Sequence, residues 1–176
     1  MKEKINACLT SCRGCCKFLK DDTYFSPKFT DKEMKKISPK GKYKKLFQQF
    51  ENSKKVFRIS LIKSKNSKNV FVCPYLDEKT HICRIYKNRP FDCEFWPFIF
   101  IKHKNQVYIA HFKKNQCEIT GKMNDSEFRK YVEASLKKFD REKVIKLIKD
   151  YPDLAWDPKK GKWNFKEDVF LFKKIK

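Results

Sequence analysis

A chain of 176 residues and 21.3 kDa has room for one domain of ordinary size and can bury roughly 68–70% of its unfolded surface, so it needs no disulfides merely to fold. Its four glycines stand alone at Gly14, Gly41, Gly121 and Gly161, which excludes the glycine-rich phosphate loops and the serine nucleophile elbow. Lys and Arg outnumber Asp and Glu by 43 to 21, a net charge of +22; such a field favours polyanions, RNA, DNA or an anionic surface, and Lys spread along the whole chain equally fits a compositional bias.

The opening stretch, MKEKINACLTSC, is charged and has no apolar centre, so no secretory signal is expected. The longest apolar run, Phe95–Ile101, contains Pro97 and falls far short of the ~20 residues that span a bilayer. The expected compartment is therefore the cytoplasm, where thiols stay reduced. Eight cysteines there are expected to be ligands or redox groups rather than bridges.

Residues 1–20 hold four cysteines and little that could anchor a core. Thr30-Asp31-Lys32-Glu33 is a capping-box pattern and predicts a helix from Asp31 to about Ile37, broken by Ser38-Pro39-Lys40-Gly41. Tyr43, Leu46, Phe47 and Phe50 fall at helical spacing and predict a second helix. Then the period changes. Val56 to Lys63 alternates as a strand rich in β-branched and aromatic residues. Ser64–Asn69 reads as a turn, and Val70–Cys73 as the partner strand that delivers Cys73 at its end. Phe98–Lys102 and Val107–Phe112 form a second expected hairpin about Lys104-Asn105-Gln106. Beyond Cys117, Asn124 or Asp125 can cap a helix carrying Phe128, Tyr131, Val132, Leu136 and Phe139. Asp140 can cap the next, with Val144, Leu147 and Ile148, until Tyr151-Pro152 ends it. Trp163–Ile175 is read as one further strand. The fold class that follows is α+β: a small mixed domain with antiparallel hairpins around a cysteine–metal core, then a C-terminal helical hairpin. Residues 1–176 are taken as one domain, with 1–120 the cysteine-cluster region and 121–176 a helical extension.

The cysteines fall in two groups, Cys8, Cys12, Cys15 and Cys16, then Cys73, Cys83, Cys93 and Cys117. In the first, short spacings let one loop wrap several thiolates about a metal, each about 2.3 Å from a zinc ion. Neighbouring side chains diverge along an extended chain, so Cys15 and Cys16 are not expected to serve one tetrahedral ion together. The second group is too widely spaced for local wrapping and must be gathered by the hairpins. Cys73-Pro74 is similar to the Cys-Pro that closes bacterial ferredoxin runs, a lean toward iron–sulfur. His81, two residues before Cys83, is an alternative ligand or an exposed turn residue; His103 and His111 read as surface or packing residues. Pro90 biases Arg89 away from helix and allows a helix to start there that carries Cys93 inward. Arg89 can pair with a carboxylate, donate to cluster sulfurs, or bind an anionic cofactor or substrate.

The stretch Cys73-Pro-Tyr-Leu, Cys83-Arg-Ile-Tyr-Lys-Asn-Arg-Pro-Phe-Asp-Cys93 and Pro97 resembles the C-x-x-L…C-x-I-Y-x-x-R-P-x-x-C-x-x-x-P signature of the YkgJ-like cysteine-cluster proteins. These are described as zinc- or iron-chelating domains with an N-terminal CxxCxxCC cluster. The resemblance covers about residues 8–117, with one extra residue between Cys8 and Cys12. It implies eight metal-linked cysteines, Cys8, Cys12, Cys15, Cys16, Cys73, Cys83, Cys93 and Cys117, holding zinc or an iron–sulfur cluster. Flagellin lysine N-methylases are similar in this cluster, which implies iron–sulfur-dependent modification as an alternative; no catalytic residue follows. A third expectation is a zinc-stabilised basic module that binds nucleic acid or an acidic protein partner.

Overall fold

The computed structural model describes residues 16–38, 44–112, 118–158 and 169–174. The chain divides into two compact units, Met1–Trp96 and Pro97–Lys176. It is an α+β protein of antiparallel sheets and helices, with further helices toward the C-terminus.

In the first unit, two three-stranded sheets share the work. Strands β1 (Lys17–Leu19), β6 (Val70–Val72) and β5 (Ile62–Lys63) pair in the order β1-β6-β5. Strands β2 (Lys28–Thr30), β4 (Val56–Ile59) and β3 (Phe47–Gln49) pair as β2-β4-β3. Helix α1 (Asp31–Ile37) leaves β2 through the expected capping box: Thr30 Oγ1 accepts the Glu33 N–H at 3.2 Å, and Glu33 Oε2 accepts the Thr30 N–H at 2.8 Å. Phe29, Phe47, Ile59, Cys73 and Tyr75 form a buried cluster, with the half-buried Cys16, Met34, Phe57, Cys83 and Ile85 packed against it.

Two expectations are corrected here. The helix read through Leu46, Phe47 and Phe50 is instead a 3₁₀ turn, Lys44–Leu46, followed by β3; Tyr43 lies outside the described residues. The apolar spacing does not distinguish the two over so short a stretch. Pairing Phe47 with Ile59 and Gln49 with Phe57 completes the second edge of β4 and sets the Phe47 ring edge-on to Phe29 at 5.0 Å. The single strand read over 56–63 breaks at Ser60-Leu61. Its first half sits between β2 and β3, so both its edges are taken, and only Ile62 and Lys63 reach β6, opposite Val72 and Phe71.

In the second unit, β7 (Phe98–His103) and β8 (Gln106–Phe112) form the expected hairpin. Lys104 and Asn105 both take positive φ, 47° and 59°, the two-residue turn whose twist matches antiparallel strands. β9 (Val169–Lys174) adds to β8. Phe98, Ile99, Phe100 and Ile101 are all buried, and Trp156 docks alongside β7, exchanging backbone hydrogen bonds with Phe100 and Lys102 at 2.8 Å each. After the short α3 (Glu118–Gly121), α4 (Asp125–Leu136) starts at an Asn124 capping box and α5 (Arg141–Asp150) at Asp140. Both starts agree with the sequence reading, as does the stop at Tyr151-Pro152. His111 is buried edge-on between Phe98 and Phe128, at 5.1 and 4.7 Å, a packing residue; His103 lies 6.0 Å from Tyr108.

Candidate metal centre

Four of the eight cysteines, Cys16, Cys73, Cys83 and Cys93, are described, and none of the four is in a disulfide. Cys8, Cys12, Cys15 and Cys117 lie outside the described residues. The first pair is set by strand register. β1 and β6 run antiparallel with Lys17 opposite Val72; one residue further, Cys16 faces Cys73, whose N–H donates to the Cys16 carbonyl at 3.0 Å. Directly opposed residues of an antiparallel pair project from one face, with Cβ atoms about 4.5–5.5 Å apart.

Cys83 is brought to them by two consecutive reversals. Cys73 opens a turn with Pro74 at its second position, closed by the Leu76 N–H to the Cys73 carbonyl at 2.9 Å. The chain then folds back over 77–82. Asp77 Oδ1 accepts the N–H groups of Lys79 and Thr80 at 3.0 and 3.1 Å, and Asp77 Oδ2 meets Arg84 at 3.4 Å. His81 takes the left-handed conformation, φ 58°, a strained choice for a residue with a Cβ. The result is a bridge between Leu76 and Cys83, with the Arg84 N–H on the Tyr75 carbonyl at 2.8 Å.

Cys93 arrives on a helix. Pro90 precedes α2 (Phe91–Phe95), where its fixed φ suits a helix start. Asp92 Oδ2 accepts the Lys28 N–H at 3.0 Å, and Glu33 Oε1 accepts the Phe91 N–H at 2.7 Å. Lys28 has no exposed surface, and its Nζ lies 4.1 Å above the Phe50 ring.

The electrostatics report the convergence. Burial pushes the Cys73 thiol up to about 11 from an ordinary 9.0, with the neighbouring Cys83 adding to the rise, while the Tyr75 and Leu76 amides oppose it by donating to the sulfur. Burial raises Cys83 as well, against the Ile85 amide and the Arg89 charge. Cys93 lies well above the ordinary range, first through burial, then through Asp92, Cys16, Cys73 and Cys83. Burial also raises the Asp92 carboxyl, against the attraction of Lys28. Cys73 and Cys83 therefore share a local design: each thiol opens a turn whose amide two residues on points at its sulfur. Amides so placed favour thiolate, the form that binds metal.

No group of three His, Cys, Asp or Glu side chains among the described residues closes around an ion by itself. The donor set nevertheless suits a thiophilic ion: soft sulfurs on buried or half-buried residues, with amide donors aimed at two of the four. Arg89 stacks over Tyr86 at 4.3 Å and pairs with Glu94 at 4.0 Å, so its charge reaches Cys83 from a structurally held position. Sequence reasoning missed the Lys28, Glu33 and Asp92 network. Its one visible sign is the acid directly before Cys93, in a chain where basic residues outnumber acidic ones about two to one.

Among protein families, a model named CxxCxxCC and described as "Putative zinc- or iron-chelating domain" matches residues 7–126. Comparison with curated proteins and with solved structures returned no match. No helix among the described residues is long and apolar enough to cross a membrane.

Proposed function

The chain belongs to the CxxCxxCC family of zinc- or iron-chelating domains, and from that premise we propose that Cys16, Cys73, Cys83 and Cys93 are metal ligands, joined by thiols of the preceding Cys8, Cys12 and Cys15. The observation that carries the reading is the meeting of β1, the Cys73 turn, the Cys83 turn and α2 at four thiols, where Cys16, Cys73 and Cys83 all raise the Cys93 pKa and Cys83 raises that of Cys73. A cation reverses that penalty: it takes the thiolates, releases their protons, and turns mutual repulsion into shared coordination. Zinc would act there as a structural cross-link, and an iron–sulfur cluster would supply one-electron chemistry. Arg89 adds positive charge beside Cys83. Reduced thiols make the cytoplasm the fitting compartment.

Metal and acid-labile sulfide content, with the visible spectrum, measured on protein purified without oxygen, tests this. A brown protein with iron and sulfide, or a colourless one with zinc, supports it and chooses between them. Less than one equivalent of either metal per chain overturns it.

The net charge of +22 favours a second reading, in which the metal stabilises a basic module that binds nucleic acid. Retention on RNA or DNA at low salt should then fall steeply as salt rises. Absence of binding near roughly 50 mM salt removes this reading.

A further inference from the structure

We propose that Glu33 is a positioning residue for the cysteine centre: by holding the first turn of α2 it sets Cys93 against Cys16, Cys73 and Cys83. The inference rests on the metal-binding reading above.

Helix α2 has five residues, too few to stand by itself, since nucleation fixes several residues for one hydrogen bond. The Pro90 carbonyl accepts the Cys93 and Glu94 N–H groups, but Pro90 offers no side-chain cap, so the Phe91 amide has no cap from its own N-terminal residue. Glu33 supplies one from another helix. Its Oε1 accepts the Phe91 N–H at 2.7 Å. Its Oε2 is already fixed by the Thr30 N–H at 2.8 Å and the Thr30 hydroxyl at 2.9 Å. One carboxylate thus caps α1 locally and α2 at a distance, and each oxygen has a separate duty.

The next residue repeats the attachment. Asp92 Oδ2 accepts the Lys28 N–H from β2 at 3.0 Å. Two consecutive residues of α2 are therefore tied to the β2–α1 segment. Cys93 follows one residue later, about 100° further around the helix, so fixing 91 and 92 fixes the direction in which its sulfur leaves the backbone. Residues that orient ligands in this way commonly govern affinity as strongly as a weak ligand does.

What matters at position 33 is reach rather than charge. Glu33→Asp keeps an acid in the first turn of α1 but withdraws the carboxylate by one methylene from Phe91. Glu33→Gln keeps the length and one acceptor oxygen. The test is a cobalt(II) titration, cobalt being accepted by thiolate sites for zinc and for iron alike, read by the thiolate-to-cobalt bands and the visible d–d bands. Glu33→Ala and Glu33→Asp should weaken cobalt binding about 10–100-fold and shift the d–d bands, whereas Glu33→Gln, with one acceptor oxygen for two N–H groups, should fall between them and the parent. Asn124→Ala, which removes a cap in the second unit, should lower the melting temperature and leave the bands unchanged. If Glu33→Ala does not fold, Glu33→Asp carries the comparison. Parent-like affinity and bands in Glu33→Asp overturn the proposal, as does an equal shift in Asn124→Ala. A parent chain that takes up no cobalt overturns this proposal, whereas the metal-binding reading itself falls only if the protein as purified also carries less than one equivalent of zinc or iron.

Discussion

A thiol buried among other thiols keeps its proton, and Cys73 shows the consequence. Its folded pKa, raised to about 11 from 9.0, means that between about pH 9 and 11 the unfolded chain has lost this proton while the folded chain retains it. The stability supplied by the neutral buried thiol is fully present below pH 9 and is lost as pH rises through that window. Metal inverts the sign, because the bound sulfur is already thiolate. Thermal unfolding followed from pH 8 to 11 should show a falling midpoint in chelator and a flatter one with metal bound. In the same terms, zinc added at neutral pH to weakly buffered apoprotein should release protons, and apparent affinity should fall as the solution is acidified. An unchanged pH on zinc addition would contradict the assignment. At this scale the candidate cysteines were legible from their number and spacing, since few other roles gather eight thiols in a chain expected to stay reduced. The partners Lys28, Glu33 and Asp92 were not, because nothing local in β2 or α1 signals a residue some sixty positions away.

Helices announced themselves more clearly than strands. Thr30, Asn124 and Asp140 each lie where a short polar side chain can accept the first free amides, and each caps its helix as expected. Asn124→Ala should cost about 1 kcal/mol, seen as a lower melting temperature of the second unit with metal content unchanged. The β7–β8 turn gives a prediction of opposite sign. Lys104 holds φ 47°, a conformation that costs most side chains about 1–2 kcal/mol and that Asn tolerates better. Lys104→Asn should therefore raise the melting temperature by stabilising the hairpin. The strand read over 56–63 and the helix read over 43–50 fared differently, for one reason. Periodicity in eight residues records which side chains are buried, and leaves open where the neighbours are. The break at Ser60-Leu61 exists because β2 and β3 occupy both edges of β4.

For the whole molecule, the metal is expected to act as a fastener of the N-terminal region. β1 is three residues long and pairs on one side with β6, and Cys16 lies at its start. With so little apolar area to bury, this edge is expected to depend on the coordination proposed for Cys16. Chelator should therefore expose the chain before residue 30 to trypsin, with new cuts at Lys17 and Lys20, while the second unit of β7, β8 and the helices stays resistant. Equal digestion patterns with and without chelator would show that the region folds without metal.

The sequence by itself determined what depends on near neighbours: the capped helices, the β7–β8 hairpin and the class of fold. Caps and tight turns are satisfied within a few residues, so their chemistry is written in order along the chain. Only the tertiary structure decided which sheet each strand joined, which thiols faced one another, and which carboxylates steadied α2. Those choices depend on free strand edges and unpaired amides, and such groups find their partners only when distant segments meet.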